Sequence, residues 1–340
     1  MKHYKRLIAL SCAGVMLAIW MFASLPRTHG QEPVTAQPRD PKAWGKNHVG
    51  QGVPDYVHGD ECLFCHRNTI GAHWQKNAHG ITIRQLEDAG ALRELLKQPE
   101  LAAVAKDIEY FLGSRQHIRF LKKDGFGKFA ILNTRVVLDA NGKVATWIEK
   151  EKPTWDKEKF ENSCAGCHAT GVEAKTKTFA AFGLDCYACH GDVNLQHSND
   201  TRLMILSKQR RNEPELITST CAQCHLRESK SSSTGLPYPN NFIAGDNVFQ
   251  DLAVDFAKAD DEKLNPIERH IYHNVRDVVV AGKTSPTCLN CHQVHYESKA
   301  LSIARHKTLP RSPLCVVCHV NEAPLKAVKP YRMSSKVCEY

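Results

Sequence analysis

Six times along the chain two cysteines stand three positions apart with a histidine directly after the second. The runs are Cys62-Leu-Phe-Cys65-His66, Cys164-Ala-Gly-Cys167-His168, Cys186-Tyr-Ala-Cys189-His190, Cys221-Ala-Gln-Cys224-His225, Cys288-Leu-Asn-Cys291-His292 and Cys315-Val-Val-Cys318-His319. Three chemistries use cysteines at this spacing: a structural zinc site, a redox dithiol, and thioether attachment of haem. Cys164, Cys167, Cys186 and Cys189, with 18 residues between the pairs, fit a four-cysteine zinc site on spacing alone. The histidine decides. With 18 histidines in 340 residues, chance puts one after a given pair about one time in 19, and after all six on the order of one in ten million or rarer. Zinc and dithiols need no histidine at that place in every pair, whereas covalent haem requires it.

The spacing has a geometric reason. In a helical turn positions i and i+3 share a face, so two thiols there can add to the two vinyl groups along one haem edge. The histidine at i+4 lies on the same face and brings its imidazole under the iron, so the cofactor is held with little surrounding fold. The expected cofactors are six covalently attached c-type haems, with His66, His168, His190, His225, His292 and His319 as proximal ligands.

Twelve histidines remain, of which His3 and His29 belong to the N-terminal leader. The other ten are His48, His58, His73, His79, His117, His197, His270, His273, His295 and His306, enough for a second imidazole on every iron. The only methionines beyond the leader, Met204 and Met333, stand apart from the motifs. Bis-histidine iron of low potential is therefore expected. His295 is too close in sequence to His292 to reach the opposite face of the same haem, so it is expected to serve a neighbour. His197 comes after His190 through Gly191 and Asp192, a loop able to fold back on a packed neighbour. His273 lies in a helical run from Asn265 to Val275, with His270 as its rival on nearly the same face. His79 and His306 are similar helical offerings, whereas His48 and His58 sit in a Gly/Pro-rich approach and are expected to face solvent.

The ends and the charge set the compartment. Lys2, Lys5 and Arg6 precede an apolar run from Leu7 to Leu25 closed by Pro26. That order of charge and apolar run exports the rest of the chain, and its length suits both a signal peptide cut near Gly30 and a membrane anchor through residues 7–25. Haem attachment outside the cytoplasm agrees, so the expected location is the periplasm or the outer face of the cytoplasmic membrane. The formal net charge is +9; residues 1–30 carry four basic and no acidic groups, which leaves +5 without them. Six ferric haems at about −1 each bring this to roughly −1, so the apparent basicity does not argue for nucleic acid. Of the fourteen cysteines only Cys12, in the leader, and Cys338 lie outside the motifs.

Around these sites the expected fold is mainly α with little regular structure, carrying a small antiparallel sheet around 115–150. Residues 31–57, with Pro33, Pro38, Pro41 and Pro54, read as a linker or surface wrap; 58–325 as the hexahaem domain; and 326–340 as a C-terminal tail. Ile83 to Lys97 and Pro99 to Leu112 show apolar spacing near 3.6 and read as helices. Phe126 to Leu132 and Arg135 to Trp147 read as strands, with Asn141-Gly142 as the hairpin turn. A loop opened by Ser231 to Ser233 and Gly235 precedes an expected helix from Asn247 to Lys258. The second and third motifs start 22 residues apart and the fifth and sixth 27 apart, short tethers that favour haems in close contact. The motifs recur without a fixed period, which excludes a solenoid.

Several stretches resemble the multihaem cytochrome c family related to the tetrahaem acceptor of hydroxylamine oxidation. They are the first motif with Trp74 and His79; Leu112-Gly113-Ser114-Arg-Gln-His117-Ile-Arg-Phe120-Leu121; Cys164 to Gly171; Gly183 to Gly191 with His197; and Cys288 to His295. The resemblance spans roughly residues 60–320. It implies His117 and His197 as distal ligands. The departure is six motifs where the tetrahaem members have four. The leading function is then electron transfer to and from redox protein partners, among them membrane quinol-oxidising or outer-membrane electron-transfer complexes. The sequence leaves two alternatives open: a multihaem oxidoreductase acting on nitrite, hydroxylamine or a related nitrogen compound at one open haem, and a homo-oligomeric haem filament.

Overall fold

The computed structural model describes residues 40–52, 55–113, 116–148, 152–200, 204–207, 210, 213–264, 266–283, 287–292 and 294–296. The leader with Leu7 to Leu25, His306, the sixth motif (Cys315, Cys318, His319), Cys338 and the tail 326–340 lie outside them. Among the described residues no helix is long and apolar enough to cross a membrane.

The largest regular element is an antiparallel sheet of β1 (Ile83–Gln85), β2 (Tyr110–Leu112), β3 (His117–Lys123), β4 (Phe129–Leu138), β5 (Val144–Ile148) and β6 (Trp155–Asp156). The order is β1-β2-β3-β4-β5, with β6 also paired to β4. Alternation of side chains splits the strands into two apolar faces. Phe111, Ile118, Phe120, Leu132, Val136 and Leu138 point into one core with the turns at 89–108. Tyr110, Leu112, Leu121, Phe129 and Ile131 point into the other, where they meet Phe160, Ala165 and Ala169 of the second motif region. Phe120 and Leu121, both fully buried, face the two opposite cores, and the β3–β4 register shifts between Arg119 and Leu121.

The sheet is wider than the sequence suggests, at the expense of two expected helices. Residues 83–112 instead form β1, 3-10 turns at Gly90–Lys97, Pro99–Leu101 and Ala105–Asp107, and β2. Gly90, at φ +53°, and Pro99 break the run into pieces too short to stand as helices. The ends of the segment then pair with each other, Ile83 opposite Leu112. The expected helix 247–258 is likewise two 3-10 turns, Val248–Gln250 and Phe256–Asp260, around a short strand. Asn247 and Asp255 each accept a bond two residues on, from Phe249 N and Ala257 N at 3.0 Å, so each starts a turn of its own.

Helices elsewhere are short. They are α1 (Gly59–His66), α2 (Lys159–Ser163), α3 (Ala165–His168), α4 (Tyr187–His190), α5 (Pro214–His225), α6 (Pro266–Val279) and α7 (Cys288–Cys291). Between α3 and α4 runs a two-stranded ribbon, β7 (Ala169–Glu173) with β8 (Thr178–Phe182). A third core joins α5 and α6 to the 242–264 turns through Ala222, Leu226, Val248, Phe249, Tyr272 and Val275. The Pro-rich approach is tied down on that core over residues 41–51. The Asn247 amide donates to Pro41 O and Trp44 O at 2.9 and 2.8 Å, and His48 Nδ1 is 2.7 Å from the Asp246 carboxylate.

Candidate haem centres

All five described motifs fall on α1, α3, α4, α5 and α7, and four of these helices end at the motif histidine. Each start has a local cause. His58 Nδ1 accepts from Asp60 N before the first motif, and Asp185 Oδ1 from Tyr187 N at 2.9 Å before the third. Pro214 opens α5, and Thr287 forms a capping box with Asn290 on α7. The i to i+4 bonds that put cysteine and histidine on one face are made: His168 N to Cys164 O at 3.0 Å, and His190 N to Cys186 O and His292 N to Cys288 O at 2.9 Å. In the second motif, Gly166 is what lets the ring of Tyr238 lie on the turn, since a Cβ there would fall 2.2 Å from Tyr238 Cγ.

Thiols of different motifs abut. Cys186 donates to Cys62, which brings Cys62 down to about 7 and raises Cys186. Cys224 and Cys167 are paired in the same way, as are Cys221 and Cys288. The fourth motif therefore touches the second through Cys224 and the fifth through Cys221. Cys62, Cys65, Cys164, Cys167, Cys186, Cys189, Cys221, Cys224 and Cys288 are all unbridged thiols.

The imidazoles form a second set of cross-links. His66 faces His197 with ring centroids 6.1 Å apart, His190 faces His295 at 5.8 Å, and His225 faces His79 at 6.0 Å. With a metal–imidazole bond of about 2 Å on each side and about 1 Å from nitrogen to ring centre, two axial imidazoles have centroids about 6 Å apart. In every pair the partner comes from a loop that succeeds another motif. Burial holds His168, His190 and His225 down at about 4, so all three are neutral at pH 7, the form that ligates iron. His79, His292 and His295 are lowered for the same reason. The donor set and its spacing fit haem.

Residues that sequence reasoning did not single out orient these rings. The Nδ1 of His168 is hydrogen-bonded to the Thr82 hydroxyl, that of His197 to Asn194 O at 2.9 Å, and that of His79 to Asn77 Oδ1 at 3.1 Å. Each bond leaves Nε2 as the ligating nitrogen. Trp74 stacks over His79 at 6.4 Å and 9°. Asp185, which caps the third motif, also accepts from Tyr56 OH, and the Tyr56 ring packs edge-on against Tyr187 at 5.3 Å. Only the capping position of Asp185, directly before a motif, was visible as a sequence signal.

The remaining candidates are placed differently. His117 opens β3 opposite Val137, and its carbonyl lies against Gly113, whose N–H donates to Thr82 O at 2.8 Å. The His117 side chain is exposed there. His273, the expected ligand with His270 as its rival, accepts from Arg276 at 3.1 Å on the side of α6 that faces Asp260. His270 and Asn274, one turn apart, lie about 60–100° round the helix from it: Cys288 Sγ is 3.6 Å from Asn274 Oδ1, and His270 acts electrostatically on His225. His73 packs on Tyr296 with centroids 5.0 Å apart, and His48 is engaged by Asp246.

Residues 157–236, which hold the second, third and fourth motifs, match the family model described as cytochrome c3. No curated protein matches the chain. Among solved structures, the undecaheme cytochrome from the S-layer of Carboxydothermus ferrireducens is similar at 20% identity and a TM-score of 0.40, over 81% of this chain and 44% of that one. The chain thus spans less than half the length of that protein. The matched segment is similar to multihaem c-type cytochromes of electron transfer, and c-type haem is the cofactor its motifs take.

Proposed function

We propose that the protein is an exported hexahaem c-type cytochrome that carries electrons between redox protein partners. The observation that carries this reading is the double cross-linking of motifs. Thiols of motifs one and three, two and four, and four and five are in contact, and loops after one motif face the histidine of another. When bound, c-type haem supplies a one-electron Fe(III)/Fe(II) couple.

The chain's own part is placement. Cys62 and Cys65 with His66, and the matching triplets at 164–168, 186–190, 221–225, 288–292 and 315–319, hold the six groups. His197, His295 and His79 are the second ligands opposite His66, His190 and His225. His270 is the second ligand for the fifth motif, with the Asn274 face of α6 toward Cys288. His117, on which the resemblance bears, serves the second motif, and His306 serves the sixth. Attachment points in contact would hold neighbouring haems close together, and the buried neutral imidazoles would supply a second ligand to each iron. The resemblance to the hydroxylamine-linked tetrahaem family, the location outside the cytoplasmic membrane and the redox partners belong to the same reading.

The test joins a mass with a spectrum. Denatured protein should carry six haem increments, and a spin-counted electron paramagnetic resonance spectrum of the oxidised protein should show low-spin iron alone. A full-intensity high-spin signal would replace this reading with an enzyme bearing one open haem.

A further inference from the structure

Away from the motif histidines, the turn between β3 and β4 leans over the β7–β8 ribbon and forms an open recess of about 210 Å³. Its apolar lining is aromatic. Tyr110 lies 4.8 Å from Phe129 and 5.1 Å from Phe182 by ring centroids, and Phe129 lies 5.0 Å from Phe179. Tyr110 and Phe129 are buried, so the floor is fixed. Phe126 at the lip is the opposite case: its side chain is 92% exposed, a large ring held in water at the mouth of an aromatic recess.

The backbone keeps the lip there. Gly127 has φ +63°, and a Cβ at this position would fall 2.6 Å from Phe179 O. Its carbonyl instead accepts from Phe179 N at 3.0 Å, which binds the turn to the ribbon. Two ammonium groups, Lys123 and Lys128, complete the wall, and Lys123 Nζ stands 5.8 Å from the Tyr110 ring centroid. The carboxylate of the turn, Asp124, is engaged by Lys157 at 2.9 Å, so the mouth of the recess is cationic.

A cluster of tilted rings presents apolar faces to a flat π system, and two lysines at the rim attract negative charge. The geometry points to a binding site for a planar aromatic ring system carrying an anionic group, of the flavin mononucleotide class, seated between Phe126 and the Tyr110–Phe129 floor with its anionic group toward Lys123 and Lys128. The floor leads inward: Phe129 meets Phe160 at 5.2 Å, and Cys164 of the second motif packs on the same apolar cluster. The site stands on sheet residues alone and holds whatever the coordination of the irons.

Calorimetric titration of the haem-loaded protein with flavin mononucleotide and with riboflavin, which differ only in the phosphate, tests the site. Flavin mononucleotide should bind saturably at one site, about threefold or more tighter than riboflavin at low salt. Phe126→Ala should weaken both ligands about fivefold, and Lys123→Gln with Lys128→Gln should abolish the preference for the phosphate. Phe126 and both lysines lie at the exposed rim, so these variants should keep the wild-type melting temperature and haem spectrum. The proposal is overturned by the absence of saturable binding, by equal affinity for the two ligands, or by binding that survives both sets of substitutions unchanged.

Discussion

The side-chain amide of Asn77 donates to the main-chain carbonyl of Val294 at 2.9 Å and to that of Tyr296 at 2.5 Å, joining loops 217 residues apart. The same side chain uses its oxygen on His79, at 2.8 Å from the main-chain N and 3.1 Å from Nδ1. Asn77 is 1% exposed, and it couples His79, which faces His225, to His295, which faces His190.

Asn77→Ala should therefore disturb two irons together. Removing a buried hub and leaving its partners unmet costs about 1–3 kcal/mol, read as a lower denaturant midpoint. The oxidised spectrum should show two altered low-spin signals. Asn77→Asp keeps the acceptor for His79 but loses both donors, so it should affect the His190 iron more than the His225 iron. A single altered signal in Asn77→Ala would show that the two loops are held independently.

The two histidines of α6 separate cleanly by substitution. His270→Ala should leave one iron high-spin, because its face of the helix carries the contact to Cys288 through Asn274. His273→Ala should leave all irons low-spin and cost at most about 1 kcal/mol, since it removes only a half-exposed contact to Arg276. The reverse pattern would make His273 the ligand and refute the assignment of His270.

The cysteine motifs were fully legible in the sequence, because covalent chemistry fixes their spacing within one helical turn. His295 is expected to reach another motif because it lies too close to its own, and His197 because the loop through Gly191 can fold back; their rings stand beside those of His190 and His66. What could not be read was which side chain holds each ring. Thr82, Asn77 and Asp185 act across distances set by the fold, and none carries a pattern of its own. The choice between His270 and His273 turned on about 60° of helix rotation, finer than apolar spacing resolves when both faces of α6 are packed. The sheet was seen only at its hairpin. The strands at 83–85 and 110–112 are short pieces whose local preference is weak and whose pairing with each other decides their form.

Thr82 bears on the second motif through electronics rather than position alone. Its hydroxyl holds Nδ1 of His168, and a donated Nδ1 proton makes the imidazole a stronger base toward a metal at Nε2. Thr82→Val keeps the shape and removes the acceptor. The midpoint potential of one haem should rise, measured by spectroelectrochemical titration, while the others stay within error. Thr82→Ser should restore the wild-type value; a Ser variant that behaves like Val would point to packing instead.

Acid should destabilise the haem-free chain through its buried motif histidines. His168, His190 and His225 are lowered from 6.5 to about 4, chiefly by burial. Because the folded values lie below the unfolded one, the unfolded chain takes up protons first as pH falls. The stabilising contribution is complete above pH 6.5, erodes below it, and is fully lost once pH passes about 4. Melting temperature of the haem-free chain, followed by circular dichroism, should thus fall through this window. A flat profile down to pH 4 would mean that these imidazoles are not the groups that protonate on unfolding.

Gly166 offers the most local test of how a motif is built. The ring of Tyr238 covers the second motif so closely that a Cβ at 166 would lie 2.2 Å from its Cγ and 2.3 Å from its Cβ. Those atoms are near the Tyr238 backbone and cannot swing away. The phenol is also anchored at its far end, where its OH donates to Glu161 O at 2.5 Å. Gly166→Ala should therefore displace Tyr238 rather than be absorbed, at about 1–3 kcal/mol of stability. Shortening the neighbour in the double variant Gly166→Ala with Tyr238→Ala should relieve the clash while leaving the cavity cost of the lost ring. The two changes should consequently be less than additive, by a coupling of about 1 kcal/mol in a double-mutant cycle. Strict additivity would show that the turn at 165–168 yields without involving Tyr238.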